Sequence, residues 1–140
     1  MTEASAVFGP LRAPTLADFE ALADAAFAAL PASFRKLCEG LVIRVDDFPD
    51  DETLDEMGAE TEFDLLGLFR GRGLAQRGGA GDTGEMPNMI WLYRRPLLDF
   101  WCAGEDTLAA VVTHVLVHEI GHHFGLSDAD MEKIERSARG

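Results

Sequence analysis

The chain has 140 residues, 47% of them hydrophobic and 26% charged, with a formal net charge of −13. That length and apolar content suffice for one domain with its own core and are too small for two. With 12 basic against 25 acidic residues, no basic cluster is available to offset phosphate repulsion, which argues against nucleic acid and anionic membranes as partners and favours a neutral or basic peptide.

Residues 1–13 read as a flexible arm ahead of a single domain over 14–140. The opening MTEASAVFGPLRAPTLADFE has an early acid and no apolar run of signal length. No stretch reaches the roughly 20 apolar residues of a membrane span, so a cytoplasmic location is expected. Pro14, Thr15 and the set Leu16, Phe19, Leu22, Ala23, Ala26, Phe27 and Leu30 describe an amphipathic helix stopping near Pro31. Phe34, Leu37 and Cys38 make a shorter helical turn ended by Gly40. Leu41 to Val45 is rich in β-branched residues and reads as a strand. The acidic stretch from Asp46 to Glu62 follows, mostly as solvated surface with helix-compatible pieces. Its carboxylates Asp46, Asp47, Asp50 and Asp51 lack the oxygen spacing and central glycine of a calcium loop.

Leu65 to Phe69 is a second strand candidate. The glycine-rich GRGLAQRGGAGDTGEMP, residues 71–87, is a long connection with no phosphate-loop pattern and no lysine, read either as a mobile rim of a cleft or as an inert insertion. Met89 to Tyr93 is the best strand, within the strand-like run MIWLYRRPL that precedes the next helix. Tyr93 is expected in the core, with oxyanion stabilisation as its functional alternative. Cys38 and Cys102 are expected as buried small apolar residues rather than a disulfide.

Residues 118–128, HEIGHHFGLSD, carry the chemistry. Leu108, Val111, Val112, Val115 and Leu116 recur at helical spacing and place the motif inside a helix that starts at Asp106 or Thr107. A helix puts positions i and i+4 on one face about 6 Å apart, so His118 and His122 can grip one metal ion. Glu119, turned by about 100°, can reach a water on that ion without being a ligand, as general bases of the His-Glu-x-x-His motif do. Gly125 suits a left-handed turn ending the helix, after which the chain doubles back and Asp128 can reach the metal. Ser127, Asp128 and Asp130 also suit the start of a final helix, so Asp128 has a capping role as its alternative. Glu132 and Glu135 are the fallback ligands. His114, one turn before His118, is expected beside the site or in the core rather than as a ligand. His123 points away and is expected to pack at the helix end. Met131, Ile134 and Glu135 share one face of the closing helix, with Met131 in its core.

The pattern His-Glu-x-x-His-x-x-Gly-x-x-Asp resembles the zincin-like metallopeptidase family of short bacterial proteins, similar to a minimal metzincin, over residues 15–137. The resemblance implies an α+β single domain with a small mixed sheet packed on the motif helix and flanking helices. It implies Zn2+ held by His118, His122 and Asp128, with Glu119 as base, and an edge strand at Met89 to Arg94 that holds a peptide substrate by main-chain pairing. No counterpart of the methionine turn of metzincins is expected in the twelve residues that follow Asp128. A zinc-dependent peptidase is the leading reading. The alternative is a non-proteolytic zinc-binding regulatory or interaction domain, and two imidazoles with one carboxylate also suit iron.

Overall fold

The structure is a computed structural model and describes residues 2–71 and 87–138. It is α+β: seven helices and a three-stranded mixed sheet among the described residues. Almost all of the 71–87 connection lies outside the described residues.

Strand β1 (Val42–Asp46) runs parallel to β3 (Met89–Tyr93), and β2 (Gly67–Arg70) runs antiparallel to it, in the order β1-β3-β2. The register opposes Val45 to Leu92 and Phe69 to Ile90, so these side chains share one face of the sheet. All four are buried there. Asp46, Leu68, Trp91 and Tyr93 fall on the other face.

The expected edge strand is corrected by this topology. β3 is hydrogen-bonded on both sides and is the centre of the sheet. A run as apolar and β-prone as MIWLY is most stable where both edges and both faces are covered. The edge beside the motif helix is β2: a methyl added at Gly67 would stand 3.0 Å from Val115 of that helix.

Helix α1 (Glu3–Phe8) lies within the expected arm, begins at a Thr2 cap and buries no residue. Helix α2 (Leu16–Ala28) starts at a reciprocal capping box, in which the Asp18 N–H donates to Thr15 Oγ1 at 3.1 Å and the Thr15 N–H donates to Asp18 at 2.8 Å. Its Phe19 and Ala23 are buried, and the helix packs on α6 (Leu108–His123) and β1. Helix α3 (Ala32–Arg35) and a 3-10 turn (Lys36–Cys38) follow, and α4 (Asp51–Met57) forms within the acidic stretch under an Asp50 cap.

Beyond Tyr93 the chain does not continue as a strand. Helix α5 (Arg94–Ala103) forms instead, with Pro96 in its first turn, where a missing N–H breaks no helical hydrogen bond. Burial of Pro96 and Leu97 holds it against the core. Both cysteines are free; Cys38 is buried as expected, whereas Cys102 on α5 is exposed. No single helix among the described residues is long and apolar enough to cross a membrane.

Candidate metal centre

Helix α6 is positioned by its apolar residues. Thr107 starts it by accepting the Ala110 N–H at 3.1 Å. Val111, Val112, Val115, Leu116, Val117 and Ile120 are then buried, which fixes the rotation of the helix about its axis. That rotation leaves His114, His118 and His122 as a row of imidazoles one turn apart. The centroids of the first two rings are 4.0 Å apart and those of the second two 5.6 Å.

The end of α6 sets where the next helix goes. Gly125 has φ +76°, a conformation that costs a side-chain-bearing residue but not glycine. Its N–H donates to His122 O at 3.2 Å and the Leu126 N–H to Gly121 O at 2.9 Å, the paired bonds of a Schellman turn. Ser127 then caps α7 (Asp128–Ala138), its hydroxyl accepting the Asp130 N–H at 3.1 Å. Met131 enters the core above Gly121, where a methyl group would lie 2.8 Å from Met131 Cγ and closer still to its sulfur. The absence of a side chain at the fourth motif position is what lets α7 approach α6.

One turn after Met131, that close approach brings Glu135 onto the histidine row. Its Oε1 lies 2.8 Å from His114 Nδ1 and 2.9 Å from His118 Nε2, while Glu135 itself is 7% exposed. A carboxylate in so dry a place needs such partners to offset its lost hydration. Ligand atoms of His114, His118 and Glu135 all lie within 4.8 Å of one another. Two imidazole nitrogens and a carboxylate oxygen at that spacing are a donor set that suits zinc or iron.

The electrostatics follow from burial. The His118 imidazole is held below the usual 6.5 by desolvation first and by His114 next, with Glu135 pulling the other way. Half-buried Glu119 is raised above the usual 4.5 by desolvation, against an opposing effect of His122.

The residues singled out in the sequence are thus distributed as follows. His118 and His122 stand on successive turns, and Glu119 lies between them in sequence, partly buried. Asp128 is the first residue of α7, exposed, and is not among the three groups that converge. Glu132 is exposed, 3.9 Å from Arg136. Of its two expected places His114 takes the one beside the site: its side chain is 49% exposed and it is one of the converging groups, not a core residue. Its i, i+4 relation to His118 was the available signal, but the carboxylate it meets comes from another helix. His123 packs as expected, its ring 4.6 Å from Phe69 and 5.0 Å from Phe124. Tyr93 is buried in the sheet.

A family model described as zincin-like metallopeptidase matches residues 38–138, from the turn before β1 to the end of α7. No curated protein matches the chain.

Proposed function

The chain belongs to the zincin-like metallopeptidase family, and we propose that it is a cytoplasmic zinc-dependent peptidase with His118, His122 and Asp128 as metal ligands and Glu119 as general base. The observation that carries this reading is the partly buried Glu119 carboxylate on the same helix as paired histidines, next to a converging set of metal-type donors. A purely structural metal site has use for ligands but none for such a base. Two unpaired cysteines accord with a reducing compartment.

Zinc bound at such a site supplies Lewis acidity, lowering the pKa of water toward about 7 and polarising a carbonyl. Glu119 takes the proton released as water attacks the peptide carbon and returns it to the leaving amine. The outer edge of β2, unpaired by any other strand among the described residues, supplies outward main-chain groups along which an extended peptide can be laid as a further strand.

A second ligand set is favoured by the contacts of Glu135. His114, His118 and Glu135 already converge, whereas Asp128 stands at the helix start where Ser127 and the helix dipole account for it. Metal content of Asp128→Asn, Glu135→Gln and His114→Ala distinguishes the two sets, because only true ligands release the ion when replaced.

Activity is tested by incubating the zinc-loaded chain with a diverse peptide library and following cleavage by mass spectrometry. Cleavage that falls about 10²–10⁴-fold in Glu119→Gln, with metal retained, is the expected result. A fully loaded chain that cleaves nothing contradicts proteolysis and leaves a zinc-binding regulatory domain.

A further inference from the structure

The face of the sheet that points away from α6 carries its own cavity, of about 160 Å³, whose walls include Asp46, Phe48, Asp50, Arg70, Trp91 and Tyr93. That is several times the roughly 30 Å³ share of one water in the liquid. The strand register explains the grouping. Asp46 is opposite Tyr93 and Trp91 is opposite Leu68, so alternate residues of all three strands project to this side.

Tyr93 sets this cavity apart from an ordinary acidic surface. The residue is 3% exposed and lines the space, yet its hydroxyl has no hydrogen-bond partner among the described residues. The hydroxyl oxygen is not itself fully buried, so its donor and acceptor are open to a group that enters the cavity. Its pKa is pushed up to about 12, by burial first and by Asp46 and then Asp50 in the same direction, with Arg70 acting the other way, so both carboxylates act on this hydroxyl.

The remaining walls select the sign and kind of ligand. Asp50 caps α4 through the Thr53 N–H and is also held by the Thr53 side chain, and its carboxylate stays exposed at the cavity wall. The Arg70 guanidinium is a cation in the wall, felt at both Tyr93 and Asp50, and its pairing with Glu56 offsets part of its charge. Trp91 and Phe48 add aromatic surface, and Phe48 already receives the Arg95 guanidinium at 5.5 Å from its ring centroid. Acceptors, negative charge and aromatic faces together match a group that is planar or compact, positively charged and rich in N–H donors.

We propose that this cavity binds the guanidinium or ammonium group of a basic peptide side chain. Leu68 and Arg70 of the edge strand β2 form part of its wall, so a peptide laid on that edge would carry alternate side chains to this face of the sheet. Recognition of the cation itself does not depend on the metal centre or on catalysis.

The test is a titration of the 15N-labelled chain with N-acetyl-arginine amide, with N-acetyl-lysine amide, and with the neutral isostere N-acetyl-citrulline amide. Its readout is the indole N–H signal of Trp91, assigned with Trp91→Phe, and the Trp101 signal serves as control. Saturable shifts of Trp91 alone are expected with arginine or lysine amide, at least 10-fold weaker with citrulline amide. Tyr93→Phe weakens binding about 3- to 10-fold, the effect of one hydrogen bond. Exposed Asp46 permits Asp46→Asn without harm to the fold, and this variant weakens binding by a similar or larger factor. Equal response to citrulline amide, no saturable shift with either cation, or unchanged affinity in both variants would overturn the proposal.

Discussion

Replacing Gly121 by alanine probes the contact on which the meeting of Glu135 with His114 and His118 depends. In an ordinary helix interior this change stabilises by about 1 kcal/mol, because alanine loses less backbone entropy. Here the new methyl would lie 2.8 Å from Met131 Cγ and nearer to its sulfur, with Leu126 Cδ1 at 3.6 Å. Met131 is fully buried, so a shift of its side chain must displace packed neighbours. Overpacking of this kind costs about 1–3 kcal/mol, so Gly121→Ala is expected to be destabilising by up to about 2 kcal/mol net. The sign should reverse in a Met131→Ala background. That variant alone costs about 2–5 kcal/mol through the lost side chain and the space left behind. Within it, Gly121→Ala meets no sulfur and becomes neutral or stabilising by about 1 kcal/mol. Urea unfolding of the four proteins in this double-mutant cycle supplies the coupling energy. If Gly121→Ala stabilises the parent, or costs the same in both backgrounds, the close approach of α7 to α6 does not rest on Gly121.

Three further outcomes follow from the same physics. Gly125→Ala meets no atom within 4 Å, so its cost comes only from the +76° φ; about 1–2 kcal/mol is expected by urea unfolding, with Gly125→Asn recovering part of it. Asp50 and Asp64 are held below the usual 3.8 by hydrogen bonds, chiefly from Thr53 and Thr61 respectively. A lowered folded-state pKa means stability that is complete above the unfolded value and is lost as pH falls below it, so acid unfolding below pH 3.8 should flatten in Asp50→Asn/Asp64→Asn, and an unchanged acid limb would contradict this. Exposed Cys102 should react with a thiol reagent in the native state, whereas Cys38, buried and pushed up to about 11, should react only on unfolding; two fast thiols would refute that placement.

Local chemistry made the motif region readable in the sequence. The spacing of Val111, Val112, Val115 and Leu116, the Thr107 cap and the left-handed turn at Gly125 all act over a few residues, and the structure has each of them. Met131 was recognisable as core from its place on one face of α7. Relations between distant segments were less accessible. The apolar run of β3 identifies a strand but not its neighbours, and its central place between β1 and β2 depends on pairings across long stretches of chain. Helix α5 was hidden because Leu97 and Leu98 extend the strand-like run of β3 across only Arg94, Arg95 and Pro96, and its helical start depends on where Tyr93 ends the sheet pairing. The meeting of Glu135 with His114 and His118 depends on how closely two helices approach, which Gly121 and Met131 decide through their packing.

We propose that α6 and α7 together form a divalent metal site beside a carboxylate, Glu119, that acts as a base. Its most direct test is elemental mass spectrometry of the chain, purified without chelator or histidine tag and equilibrated with zinc, alongside His118→Ala and Glu119→Ala. About one zinc per chain in the parent and in Glu119→Ala, with loss in His118→Ala, is the predicted result, since a base acts without ligating. A parent chain that takes up no zinc, or a His118→Ala variant that holds it as well as the parent, would contradict the account.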